Sequence, residues 1–320
     1  MSVIEEAIEE REALPPLFEA HEVRIAVDDV VAIEGLTCAT HGDRLLCTGE
    51  TQALLGVLLG VPLAARGRRG AGEPEGEARV VAGTLRLAGR EVGRAAHRSI
   101  AGGAMLDPPL PVAWTAEAYV SWSAKLGGGP ARAGRDLARA ALTKVGLGHA
   151  ALRQIGGLSL HERRALGLAA AVALSPAVVV LEDPLSGLDG SAAAFVMAAV
   201  AAVTEGRQAL ISVGHLRMSG ATGALLQGAT DLLVLAEGAL VFAGAPAEVS
   251  EGRRVYALVT RGQVERLREA LEGRGLGVRG GTTRLLVTLR EGMTTRDIVA
   301  AAAEARAPLL EMVPVIQGGS

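Results

Sequence analysis

The stretch from Leu174 to Asp189 constrains this chain more than any other. It reads Leu-Ser-Pro-Ala-Val-Val-Val-Leu-Glu-Asp-Pro-Leu-Ser-Gly-Leu-Asp. The apolar run from Ala177 to Leu181 has no polar alternation, so a strand here must be covered on both faces, as in a parallel sheet between layers. Glu182 and Asp183 fall where that strand ends, Pro184 stops it, and Ser186-Gly187-Leu188-Asp189 forms a turn. Carboxylates at the carboxyl end of a buried parallel strand sit where open α/β sheets place phosphate and metal chemistry.

Two further landmarks flank this stretch. Upstream lies Leu158-Ser159-Leu160-His161-Glu162-Arg163-Arg164, opening a helix, and downstream the apolar run from Ala209 to Val213 is followed by His215. In this order the chain resembles the ATP-binding subunit of an ABC transporter. Val178 to Pro184 resembles the Walker B strand, Ser186 to Asp189 the D-loop, Leu158 to Glu162 the signature, and His215 the switch histidine. The resemblance covers roughly Val23 to Glu248. It implies an α/β fold: a P-loop NTPase-like ABC ATPase domain over residues 21–250, with a β-subdomain, a mostly parallel core sheet and a helical subdomain.

The residues that carry the chemistry in such a domain depart from the pattern. A phosphate loop, Gly-x-x-x-x-Gly-Lys-Ser/Thr, needs glycines so that backbone N–H groups close on the phosphates, and a lysine to neutralise them. The segment in its place is Thr48-Gly49-Glu50-Thr51-Gln52. If Gly49 matches the last glycine, Glu50 replaces the lysine; a gap-free match back from Gly60 puts Thr51 there. Leu106 or Asp107 stands where the resemblance calls for the Q-loop glutamine. Ser159 is kept in the signature, but Leu160 and His161 replace two glycines and Glu162 a glutamine. Glu182-Asp183 reverses the expected Asp-Glu order, so each side chain is wrong by one methylene. The adenine platform is missing too, because no aromatic residue follows Phe18 until Trp114. Gly49, Glu50, Thr51 and Gln52 are thus the remnants of a phosphate loop. Asp107, Ser159 and Asp189 complete the candidate nucleotide contacts, and Glu182, Asp183 and His215 are vestigial catalytic positions.

These losses together lead to a pseudo-ATPase. The resemblance implies docking on a membrane permease and dimerisation with itself or with a competent ATPase subunit. It assures no cofactor for this chain; ATP and Mg²⁺ can reach it through the partner. Two alternatives stay open: an active ATPase with an unorthodox phosphate loop, and a soluble scaffold in a cell-envelope or motility machine. The aromatic group Trp114, Tyr119 and Trp122 reads either as an interface anchor or as core.

Composition narrows the rest. The chain has 320 residues, a net charge of −3 and 49% apolar residues. The charge argues against nucleic acid as a partner. Two cysteines without Cys-x-x-Cys spacing, Cys38 and Cys47, suggest small buried residues and no metal site. The acidic first residues lack the basic start and apolar run of a signal peptide. The expected location is therefore cytoplasmic, peripheral on the inner membrane through a permease. Residues 1–20 read as an acidic helical arm. Residues 251–320 read as a small ferredoxin-like β-α-β-β-α-β domain, with Thr295 and Asp297 capping its second helix.

Overall fold

A computed structural model describes residues 15–61, 76–93, 100–214, 216, 220–250, 254–280, 284–290 and 292–316. Residues 1–14 of the acidic arm and His215 lie outside the described residues; the arm is shorter than expected, because Phe18 to Ala20 already belong to the first strand, paired on two sides in a sheet.

The central sheet has six strands: β3 (Arg44–Gly49), β6 (Ala101–Ala104), β7 (Val178–Glu182), β8 (Gln208–Val213), β9 (Asp231–Ala236) and β10 (Ala239–Gly244). Their order is β10-β9-β3-β8-β7-β6, and only β10 runs antiparallel. All five residues of β7 are buried, as an unalternating apolar run requires. Its side chains divide between two cores: Val179 and Leu181 join one, Val178 and Val180 the other. The first core is closed by α4 (Leu160–Val172) and α5 (Gly190–Thr204), and the second by α1 (Gln52–Leu59) with an antiparallel sheet. Each fully buried Val or Leu contributes about 1.5–3 kcal/mol, so β7 anchors both layers.

That second sheet runs β2 (Val30–Ala39), β1 (Phe18–Val27), β4 (Ala78–Leu87) and β5 (Arg90–Glu91). Phe18 has no exposed surface, so it fills the core. Cys47 is buried, but Cys38 is half-buried, against expectation, because it lies where β2 reaches solvent. Burial pushes the Cys38 thiol up to about 12. Among the described residues neither cysteine forms a disulfide, and both are free. The helices α2 (Ala116–Leu126) and α3 (Gly134–Lys144) pack on α4 and form the helical part. Two short helices complete this part of the chain, α6 (Gly220–Gln227) and α7 (Pro246–Ser250).

The C-terminal strands are β11 (Arg254–Thr260), β12 (Gly277–Gly280), β13 (Arg284–Leu289) and β14 (Leu309–Ile316), with helices α8 (Val264–Gly273) and α9 (Thr295–Glu304). The strand order β12-β13-β11-β14, all antiparallel, is that of a ferredoxin-like split unit. It has its own core around Leu258, Leu267, Leu285 and Ile298. The cap of α9 falls one residue earlier than expected. Thr294, not Thr295, accepts from the Arg296 N–H, and its own N–H donates to Asp297 Oδ2 at 2.7 Å. Thr294→Ala is expected to cost about 1 kcal/mol, measurable as a lower urea midpoint at unchanged slope.

Candidate functional site

The acids lie at the carboxyl ends of the parallel strands, where β7 passes between β6 and β8. Glu182 is the last residue of β7 and is buried, and its Oε2 accepts from the Leu106 N–H at 3.2 Å. Asp183 turns away from it. Its backbone takes a left-handed φ of 37°, and its N–H donates to the Ser212 carbonyl at 3.0 Å. Its Oδ2 lies 3.0 Å from where a Cβ on Gly214 would be, so Gly214 is a residue the carboxylate can lie against. The two acids therefore face different neighbours: Glu182 the loop after β6, Asp183 the end of β8.

The charges of both acids act on Arg164, which sequence reasoning passed over as one of two arginines following the signature. It lies on the second turn of α4. Its side chain is 8% exposed, and its Nη1 donates to Asp107 Oδ1 at 3.1 Å. Burial pushes its guanidinium down, while Asp107, Asp183 and Glu182 oppose that and hold it charged. Its Nε has no hydrogen-bond partner among the described residues. A cavity of about 280 Å³ opens beside it, lined by Leu106, Asp107, Leu110, Leu160, Arg163 and Arg164. The signal for Arg164 was present: a helix period of 3.6 puts it on the same face as Leu168 and Ala171, which are buried.

The phosphate-loop position is closed. β3 ends at Gly49 and α1 begins at Gln52, so only Glu50 and Thr51 connect them. Two residues reach at most about 7 Å. A phosphate loop needs four residues between its glycines before the lysine. Two of the N–H groups that would face an anion are spent inside the chain. Glu50 N–H donates to the Leu235 carbonyl at 3.0 Å, and Thr51 N–H to the Gly49 carbonyl at 2.9 Å. The Glu50 carboxylate accepts from the Gly238 N–H at 3.2 Å, which ties it to the β9–β10 turn. Thr51 is buried, and no side-chain bond caps α1. The residues present thus do not fit a triphosphate cradle. They do not fit a divalent ion at the acids either: a guanidinium already stands among them, and no three metal-ligating side chains converge among the described residues.

The signature position is a helix cap. Ser159 Oγ accepts from the Glu162 N–H at 3.4 Å, and Glu162 Oε2 accepts from the Ser159 N–H at 2.8 Å. Arg153 pairs with Glu162 at 2.6 Å. Burial favours the neutral Glu162, but the Ser159 and Arg153 donors outweigh it and hold its carboxyl below the usual range. Leu160 is exposed, and the His161 ring packs edge-on against Phe195 at 5.4 Å. Asp189 precedes α5, is exposed, and makes no side-chain cap bond.

The sequence candidates therefore fall into three groups. Asp107, Glu182 and Asp183 gather around Arg164. Gly49, Glu50, Thr51 and Gln52 lie at the neighbouring β3–α1 junction. Ser159 and Asp189 lie at the starts of α4 and α5. On the helical part, Trp114 and Trp122 stack edge to face at 5.7 Å with Tyr119 beside them at 6.4 Å. They are 41% and 45% exposed, which makes them surface as much as core.

No protein-family model matches the chain. It is similar to the phosphite import ATP-binding protein PxtA of Stutzerimonas stutzeri, 28% identical over 130 residues, 39% of this chain and 45% of that protein. It is also similar to the cytochrome c biogenesis ATP-binding export protein CcmA of Rhodopseudomonas palustris, 36% identical over 110 residues, 34% of this chain and 51% of that protein. The matches thus span about half the length of these relatives. Among solved structures, cbiO1 from Clostridium perfringens, part of the ABC transporter complex cbiONQ, superposes with a TM-score of 0.56. It is 17% identical, over 73% of this chain and 90% of that one. The fold is that of an ABC ATPase.

Proposed function

We propose that this chain, which has the fold of an ABC ATPase and the sequence likeness of an ABC transporter ATP-binding subunit, is a pseudo-ATPase of such a transporter. It takes the subunit's place without turning over nucleotide. Such a subunit pairs with a second ATPase subunit, or with another copy, and docks on a membrane permease at the cytoplasmic face. The observation that carries the reading is the β3–α1 junction, where Glu50 and Thr51 alone stand in place of the phosphate loop. Asp189, exposed before α5, supports pairing, because a D-loop carboxylate without a cap bond is available to a neighbouring subunit. The exposed Trp114 and Trp122 support docking, since large aromatic side chains anchor interfaces. No helix among the described residues is long and apolar enough to cross a membrane, so a permease would supply the membrane contact. The division at residues 250 and 251 is part of the same reading, and the separate core of the C-terminal unit supports it.

Calorimetry of the purified chain tests this. Mg-ATP at millimolar concentration is expected to give no heat of binding. Glu50→Lys and Thr51→Lys are expected to stay equally silent, because a lysine without the preceding loop has no backbone cradle to work with. Micromolar binding by the wild type would overturn the reading in favour of an active ATPase with an unorthodox loop. Micromolar binding by either lysine variant alone would show that charge, not loop length, is what the site lacks.

A further inference from the structure

We propose that Arg164 is the resident cation of this site: its guanidinium neutralises the acids at the end of β7 and clasps Asp107, so that the loop after β6 is pinned to α4 without any ligand. The inference rests on the pseudo-ATPase reading, and it says what replaced the ion.

Three observations converge on it. Asp107 lies in the loop after β6 and Glu182 ends β7, and two bonds fasten segment 106–107: Glu182 Oε2 accepts from the Leu106 N–H at 3.2 Å, and Asp107 Oδ1 accepts from Arg164 at 3.1 Å. Arg164 comes from a third element, α4, which also carries the helical part of the chain through its packing with α2 and α3. The Arg164 side chain is 8% exposed, and a buried cation persists only where carboxylates compensate its lost hydration. Asp107 is such a carboxylate in direct contact, and the charges of Glu182 and Asp183 add to it from further away. Arginine suits the task because it stays charged at any physiological pH and spreads five donors across a plane. A divalent ion arriving here meets a fixed positive charge a few ångströms away and carboxylates already engaged.

The consequence concerns movement. In a site that binds and releases an ion with nucleotide, the loop after β6 gains and loses its partner. Here the partner is covalently part of the chain. The position of α2 and α3 relative to the central sheet is therefore set by Arg164 and does not follow ligand occupancy. A subunit built this way offers its partners one fixed surface.

The test combines thermal melting with hydrogen exchange on the full chain. The wild-type melting temperature is expected to be unmoved by millimolar MgCl₂ or MnCl₂, compared with NaCl of equal ionic strength. Arg164→Gln is expected to melt lower by roughly 5–15 °C, as removal of one partner from a buried pair does. Its amide exchange over residues 105–110 should rise by roughly 100-fold. Arg164→Lys, which restores the charge, should recover a good part of both. If Arg164→Gln fails to fold, Asp107→Asn serves instead: Asp107 is the more exposed partner and the charges of Glu182 and Asp183 remain, so exchange should rise in the same segment with a smaller fall in melting temperature. A metal-ion response of the wild type without nucleotide would overturn the inference. So would unchanged exchange over residues 105–110 in both neutral variants. Heat from Mg-ATP in the wild type, by contrast, would overturn the proposed function, so the two failures are distinguishable.

Discussion

Gly49→Ala is expected to be the most damaging single substitution at the site, lowering stability by about 4 kcal/mol or more. Gly49 ends β3 with a φ of 89°, which costs a residue with a Cβ before any contact is considered. An added Cβ would lie 1.8 Å from the Leu235 carbonyl oxygen. That oxygen cannot retreat cheaply. It accepts the Glu50 N–H at 3.0 Å, and Leu235 is the register partner of Gly49 in the parallel β3–β9 ladder. Relief of the clash must therefore break the ladder or the β3–α1 junction. Urea unfolding followed by circular dichroism would read the loss as a fall in midpoint; a midpoint equal to that of the wild type would show that the strand end relaxes freely. The result bears on function as well. In sequence Gly49 reads as a glycine kept so that a phosphate can approach. The structure supplies a reason that needs no phosphate, the close approach of β9.

Asp231→Ala is expected to cost about 2–4 kcal/mol. The carboxylate is 5% exposed at the start of β9. It accepts from the His41 and Gly42 N–H groups and from the Thr230 hydroxyl, each at 2.9 Å, and thereby closes the β2–β3 turn. Its removal leaves three part-buried donors without this acceptor. Burial on its own would raise the Asp231 pKa, but the His41, Thr230 and Gly42 donors outweigh it and hold the carboxyl below the usual carboxylate range. The folded-state value is thus below the unfolded one of roughly 3.9. The ionised group stabilises the fold fully above that unfolded value, and its contribution is lost as pH falls through the folded value. Asp231→Asn should therefore flatten the acid limb of the stability–pH curve. An acid limb identical to that of the wild type would assign the pH dependence to other groups.

Both predictions concern strand ends, and these are where the sequence was least legible. The core strands were readable. Val178 to Leu181 is apolar without alternation, and only a strand covered on both faces accommodates that. The order of the landmarks around it was enough to expect an ABC ATPase fold, and the comparison with cbiO1 bears that out. The β9–β10 hairpin has a local cause. Glu237 and Gly238 both take positive φ, 53° and 68°, as a two-residue turn requires.

The site itself was readable only in part. The strand end marked Glu182 and Asp183, because that is a local feature, and the resemblance added Asp107 and Ser159 as candidate contacts. It could not say that Arg164 stands among the acids, since Asp107 is 57 residues away along the chain. Nor did it show that the β3–α1 connection had shrunk to Glu50 and Thr51. Matching residues one by one presents a missing loop as a set of substitutions, and only the observed end of β3 and start of α1 reveal the deletion. The period of the apolar residues determined the layers by itself, because burial on one or both faces is a property of neighbouring side chains. Which charges meet across those layers was decided by the tertiary structure alone, because Coulomb interactions depend on distance in space and not on separation in sequence.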